Sequence, residues 1–156
     1  MKSILAVFFC LLSSALMAET INLVCDVTAR MKTSAEKGES EKGQAFVEIS
    51  EVGDDVFVEI RSEVSAVDDF SIDSLVSDNS QRISAGKNLS TESKWEITQS
   101  SGRKKDGSIE NVTEKRFLVD RTTGLMVLSV EFTVSGAQLF INASGNCKKA
   151  SKERIF

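Results

Sequence analysis

Apolar and polar residues alternate with a period of two along much of this chain. Between Ile21 and Met31 the odd-numbered positions are apolar, and the positions between them are polar except for Val24. Because successive side chains of a β-strand point to opposite faces, this pattern predicts a half-buried strand. A helical period of 3.6 residues is nowhere sustained, and the chain contains no proline. The sequence therefore predicts an all-β protein.

Turn residues divide the pattern into short strands. The predicted strands lie near 21–31, 46–50, 56–61, 95–97, 116–121, 125–134 and 137–143. Segment 70–76 fits a strand or a short helical turn, 77–93 has little apolar content, and 32–43 and 100–108 are predicted loops. We expect an antiparallel meander of about eight strands that forms a small barrel or a curled sheet.

The inner face of this sheet is predicted from the apolar positions of the strands. The residues expected to be buried there are Leu23, Val47, Val58, Trp95, Val119, Leu128, Val130 and Leu139. In this view Trp95 fills the core and is not a platform for a ligand.

The first eighteen residues are typical of a secretory signal peptide. Lys2 provides the positive charge, 4–12 is an apolar run too short to span a bilayer, and Ala18 is a small residue of the kind found before a cleavage site. We expect residues 19–156 to form one antiparallel β domain outside the cytoplasm, in the bacterial periplasm. No membrane span is predicted after the leader.

Two cysteines, Cys25 and Cys147, remain after the leader. In an oxidising compartment an even pair predicts one disulfide that ties the first and last strands together, and two free buried thiols are the alternative.

Residue composition excludes several kinds of chemistry. The chain has no histidine and no tyrosine, so Ser-His-Asp catalysis, Cys-His catalysis and histidine-ligated zinc are unavailable. We predict a protein that is not an enzyme and has no cofactor or metal. Two alternative hypotheses use the acidic residues. One is a calcium site at Asp68, Asp69, Asp73 and Asp78. The other is a glycosidase-like pair of carboxylates drawn from Asp54, Asp55, Asp68 and Asp69.

Negative charge is concentrated in one part of the chain. Segment 46–73 holds nine acidic residues and one basic residue, and the whole chain carries a net charge of −4. Nucleic acid is therefore not an expected partner, whereas a basic protein is. The predicted partner-facing acidic residues are Asp54, Asp55, Asp68, Asp69 and Asp73, although such a stretch is often only a solvated face.

The stretch 117–125, which contains Asp120-Arg121-Thr122-Thr123-Gly124, and the closing Gly145-Asn146-Cys147 resemble segments of small exported proteobacterial β-proteins of unknown function. The resemblance implies a hairpin and no activity. Within it, Arg121 is expected to donate hydrogen bonds to loop carbonyls or to Asp120.

A second resemblance comes from the tripeptide Ser135-Gly136-Ala137. It is similar to the inhibitory loop of the bacterial protein inhibitors of C-type lysozyme, which are small disulfide-tied barrels with a basic partner. A plain hairpin turn explains the same residues. We therefore expect a non-catalytic binding or structural module, with lysozyme inhibition as the alternative function.

Overall fold

Ten β-strands make up most of the molecule. The computed structural model describes residues 19–33, 38–134 and 137–150, so the predicted leader lies outside the described residues. The strands are β1 (Glu19–Thr33), β2 (Ser40–Val52), β3 (Asp55–Ser62), β4 (Phe70–Asp73), β5 (Val76–Asp78), β6 (Arg82–Asn88), β7 (Lys94–Lys105), β8 (Ser108–Asp120), β9 (Leu125–Val134) and β10 (Ala137–Lys149). The predicted all-β antiparallel fold is confirmed, with ten strands where about eight were expected.

All ten strands belong to one antiparallel sheet. Its order is β4-β3-β2-β1-β10-β9-β8-β7-β6-β5, so each strand pairs with its neighbour in sequence except at the β1–β10 pair, which joins the two ends of the chain. The outermost strands, β4 and β5, are successive segments separated only by Ser74 and Leu75. The sheet is therefore curled until its two edges meet in one stretch of chain.

Two backbone hydrogen bonds mark this meeting of the edges. Ser74 N donates to Val56 O at 3.0 Å on one side, and Gly86 N donates to Leu75 O at 2.9 Å on the other. A Cβ atom at Gly86 would lie 2.4 Å from the carbonyl carbon of Ser74. Glycine at this position allows the two backbones to approach so closely.

The core occupies the concave side of the curled sheet, which we call the inner face. Seven of the predicted core residues are buried there, as the alternation requires: Leu23, Val47, Val58, Trp95, Val119, Leu128 and Val130. The prediction for Leu139 is wrong, because it is only half-buried. Leu139 lies near the start of β10, opposite Phe132 and Thr33, beyond the part of the inner face that the core fills.

The predicted disulfide is present between Cys25 and Cys147. These residues lie directly opposite each other on β1 and β10, and 122 positions separate them in sequence. The bond therefore links the first strand of the chain covalently to the last one.

The polar segments form more strand than the sequence pattern predicted. The expected loop at 100–108 is a two-residue turn, Asp106-Gly107, between the long strands β7 and β8. Both turn residues have positive φ, 47° and 80°, as a tight hairpin turn requires. The predicted loop 32–43 gives way to β2 at Ser40, and segment 77–93 contains β6. Hydrogen bonding to neighbouring strands outweighs the low apolar content of these segments.

Segment 63–69 covers part of the core with a short 3₁₀ turn, Ser65–Val67. Val64 and Val67 are each 2% exposed and belong to the core. Gly43 leaves room for them, because a Cβ atom there would lie 3.0 Å from a methyl group of Val64.

Candidate functional site

The acidic residues predicted to face a partner do not form one cluster. Asp54 and Asp55 lie at the start of β3, whereas Asp68 and Asp69 lie beyond its other end, before β4. At about 3.3 Å per residue, the seven steps along this eight-residue strand separate the two pairs by roughly 23 Å. Asp73 is opposite Phe57, nearer to the first pair.

Several of these carboxylates have structural hydrogen bonds. Asp68 Oδ1 accepts from Ser62 N at 2.9 Å, and Asp73 Oδ1 accepts from Leu75 N at 3.1 Å. Asp55 Oδ1 accepts from the hydroxyl of Ser74 at 3.3 Å, next to the meeting of the sheet edges. These contacts give the aspartates a role in turns and in closing the sheet.

A different group of residues stands out on the outer face of the β2–β3 hairpin. Glu48 and Glu59 are directly opposite each other and both are exposed. Phe46 precedes Glu48 by two positions on β2, and Phe57 precedes Glu59 by two positions on β3, so all four side chains share one face. We call these four residues, Phe46, Glu48, Phe57 and Glu59, the acidic-aromatic patch.

The two glutamates of this patch repel each other, although Arg61 lies opposite Phe46 on the same face and brings one positive charge beside them. Like charges directly opposite on neighbouring strands destabilise a sheet, since their Cβ atoms are only about 5 Å apart. Within residues 38–134, neither Glu48 nor Glu59 takes part in an ion pair. Phe46 is 44% exposed although it is a large apolar side chain. An exposed aromatic ring beside two carboxylates is suited to a cation.

The sequence carried a signal for the patch that the aspartate-based prediction missed. Glu48 lies between Val47 and Ile49, and Glu59 lies between Val58 and Ile60, which are all buried. The alternation therefore places both glutamates on the outer face. Their pairing could be found only from the register of the hairpin.

One end of the curled sheet is held by contacts around Trp95. The indole Nε1 donates to Glu51 Oε1 at 2.6 Å, and Arg121 Nη2 donates to the same oxygen at 3.2 Å. The Arg121 guanidinium also lies 4.0 Å from the centroid of the Trp95 ring. Trp95 is 7% exposed, which confirms its place in the core. Arg121 thus contacts the core and β2, where a role within its own turn was expected.

The turn after β8 is stabilised by Asp120. Its Oδ1 accepts hydrogen bonds from Thr122 N at 2.8 Å and Thr123 N at 2.7 Å. The bond from the Thr123 amide, followed by that from Thr122, lowers the pKa of the Asp120 carboxyl. Gly124 follows with a φ of 74°. The hydrogen bonds to Asp120 and the conformation of Gly124 explain why these residues form the turn.

A buried carboxylate lies on the outer face of β7. The side chain of Glu96 is 7% exposed and forms ion pairs with Lys94 and with Arg116, whose Nη2 is 2.6 Å from Glu96 Oε1. The hydrogen bond from Lys94 is the largest influence on its pKa, and it outweighs desolvation by burial; together with Arg116 it lowers the pKa of Glu96. Glu96 is therefore a charged anchor for two cations and is not poised for proton transfer at neutral pH.

Lys115 is a partly buried cation on the inner face. Its Nζ donates to the carbonyl oxygen of Ser71 at 2.6 Å and lies 5.1 Å from the centroid of the Phe70 ring. Burial lowers the pKa of Lys115, while the charge of Asp73 opposes that effect. The contact joins β8 to β4 across the curled sheet.

Three further predictions concern the tripeptide Ser135-Gly136-Ala137, a metal site and a membrane span. Ser135 and Gly136 lie outside the described residues, and Ala137 is the exposed first residue of β10. Residues 19–33, 38–134 and 137–150 contain no group of three or more acidic, cysteine or histidine side chains placed to hold a metal ion. In the same part of the chain, no helix is long and apolar enough to cross a membrane.

Comparison with known proteins adds no family to these observations. No protein-family model, no curated protein and no solved structure matches this chain.

Proposed function

We propose that this protein is an exported, non-catalytic binding module that recognises a basic partner protein through the acidic-aromatic patch. The observation that carries the proposal is the direct pairing of Glu48 with Glu59 on an exposed sheet face. A lysine or arginine side chain of a partner would neutralise both carboxylates and contact the exposed ring of Phe46.

The scaffold suits this role. The patch lies on paired strands whose opposite face is packed in the core, so its side chains are presented by a rigid support. The Cys25–Cys147 disulfide supports export to an oxidising compartment, and we place the protein in the bacterial periplasm. The absence of histidine and tyrosine from the sequence favours binding over catalysis.

Lysozyme inhibition is the second candidate within this class. C-type lysozyme is a basic protein, so the patch favours this candidate on charge alone. The tripeptide Ser135-Gly136-Ala137 would be the inhibitory segment. An assay of lysozyme activity with the mature protein tests this candidate directly, and undiminished lysis at a large excess of the protein would eliminate it.

The general proposal is tested by affinity capture from an envelope extract of the source organism. The bait is the mature protein, residues 19–156, compared with a double variant, Glu48→Gln with Glu59→Gln. We expect the wild-type bait to retain at least one basic protein that the double variant loses. Raising the salt concentration should also weaken this capture, because the Debye length falls from about 10 Å at 0.1 M to about 3 Å at 1 M.

A matched control separates the patch from net charge. Glu92→Gln with Glu110→Gln removes the same two charges from exposed positions in the 89–93 loop and on β8. This control should capture the basic protein as the wild type does. Equal capture by all three baits would overturn the proposal, and equal loss in both double variants would show that only net charge matters.

A further inference from the structure

A groove crosses the outer face of five strands, on the other side of β1 from the acidic-aromatic patch. It is formed by β6, β7, β8, β9 and β10 and has a volume of about 580 Å³. That volume lies within the range of ligand sites in proteins, about 300–1,000 Å³. The proposed function makes no use of this groove.

The floor of the groove contains one continuous row of polar side chains. The strand register places five residues side by side, one from each strand: Lys87, Thr98, Arg116, Ser129 and Asn142. Every member of the row can donate a hydrogen bond, and three can also accept one. Such a row across five strands offers a regular series of polar contacts.

A second row runs beside the first, two residues along each strand. It includes Ser100, Glu114, Glu131 and Phe140, which are adjacent in the register. Glu114 and Glu131 are directly opposite each other and add acceptors to the groove. Phe140 adds an aromatic ring at the β10 end, with Lys32 Nζ 5.3 Å from its centroid.

Arg116 at the centre of the groove is held in position. Its Nε and Nη2 both donate to Glu96 Oε1, at 3.0 Å and 2.6 Å, and Glu96 is also paired with Lys94. The side chain of Arg116 nevertheless remains 57% exposed. A guanidinium has five N–H donors, so donors remain for a ligand after these two bonds. The buried glutamate thus orients a central donor before any ligand arrives.

These contacts define the chemistry of a ligand. The lining of the groove holds three cations, Lys87, Lys115 and Arg116, and two carboxylates, Glu114 and Glu131. The excess of positive charge is small, so the site does not favour a highly charged molecule. Five strands at a spacing of about 4.8 Å give an extended site of roughly 19 Å. Sugar hydroxyls are bound by hydroxyl, amide, carboxylate and guanidinium groups, all of which line this groove. The face of a sugar ring packs on an aromatic ring, which Phe140 provides at one end.

We propose that this groove binds a linear, uncharged oligosaccharide lying across strands β6 to β10. An extended peptide is less favoured, because peptides usually add to a free strand edge. Here the backbone groups of the central strands are already paired in the sheet ladders. Only side chains remain available to a ligand, and these match a polyhydroxyl chain.

The test is titration of the mature protein with three series of defined oligosaccharides, the cello-, malto- and chito-oligosaccharides, from dimer to hexamer. Binding is followed by calorimetry and by amide chemical shifts. We expect at least one series to bind with a Kd of about 1 mM or tighter and with affinity that rises with chain length and levels off near the span of the groove. Amide shifts should map to β6–β10.

Two single variants make the test specific to the groove. Glu131→Gln and Asn142→Ala alter partly or fully exposed side chains, and each should weaken binding by about tenfold. The patch variant with Glu48→Gln and Glu59→Gln should bind the oligosaccharide unchanged, which separates this site from the proposed function. No binding by any of the three series, or binding unaffected by both groove variants, would overturn the proposal. Binding of random decapeptides that competes at the same residues would assign the groove to peptides instead.

Discussion

Trp95 and Glu51 are joined by a hydrogen bond of 2.6 Å between the indole Nε1 and the carboxylate Oε1. The two residues are 44 positions apart and lie on β7 and β2, which are not neighbours in the sheet. The bond therefore crosses the inside of the curled sheet. It satisfies a nearly buried N–H group that would otherwise lack a partner.

Replacing Glu51 with alanine should destabilise the protein by about 1–3 kcal/mol, because the buried indole N–H of Trp95 loses its acceptor. Arg121 loses its ion pair in the same variant. Urea denaturation followed by the fluorescence of the single tryptophan measures the change. Glu92→Ala in the exposed 89–93 loop is the matched control and should change stability by no more than about 0.5 kcal/mol. Equal stability of the two variants would show that the Trp95 contact contributes little.

The disulfide should be fully formed in protein isolated from its native compartment. Unreduced protein is expected to have a mass two hydrogen atoms below that of the dithiol form and to contain no thiol that can be alkylated. The double variant Cys25→Ser with Cys147→Ser should lose about 5 kcal/mol in the chain-entropy model, since the bond closes a loop of 122 residues. Two reactive thiols in native material would contradict this expectation.

Glu96 should make stability depend on acid pH. Its pKa is lowered in the folded protein, so its stabilising effect is present above its ordinary pKa of 4.5 and is lost as the pH falls through the folded value. Glu96→Gln should cost about 1–3 kcal/mol at pH 7 and should flatten the loss of stability in acid. Denaturant midpoints from pH 7 down to pH 3 test this. Asp120 contributes in the same direction, so some slope remains; an unchanged slope would refute the role of Glu96.

The alternation of side chains was sufficient to predict the all-β fold and most of the core, and the even pair of cysteines after the leader predicted the disulfide partners. Trp95 is an example, because its burial could be predicted from its apolar position on a single strand. The length of β7 and β8 was not predictable from apolar content, because both strands extend through polar residues on either side of Asp106-Gly107. This Asp-Gly pair was nevertheless a usable signal for a tight hairpin.

Sites that depend on the pairing of strands could not be predicted from single strands. The aspartates at 54–55 and 68–69 are close in sequence, yet β3 holds them apart. Glu48 and Glu59 are eleven positions apart, yet the register places them opposite each other. The row around Arg116 likewise brings together five strands. The register between strands, which the alternation within a single strand does not record, decides these arrangements.

The paired glutamates should lower the stability of the free protein. Glu59→Gln removes the repulsion from Glu48 and should raise stability by a few tenths of a kcal/mol, to about 1 kcal/mol at most. The effect should shrink in 1 M salt, where exposed charges are screened. Glu92→Gln is the control, because Glu92 lies in an exposed loop outside the strands. A loss of stability in Glu59→Gln would mean that Glu59 has a stabilising partner.

Site-specific photo-crosslinking at Phe46 in living cells tests the central claim most directly. A photoreactive phenylalanine derivative replaces Phe46 in one strain and Val127 in another; both positions are exposed apolar residues on the outer face of the sheet. We predict an adduct with a basic protein from position 46, weakened when Glu48 and Glu59 are changed to glutamine, and no such adduct from position 127. Absence of an adduct at position 46, or the same adduct from both positions, would contradict the account.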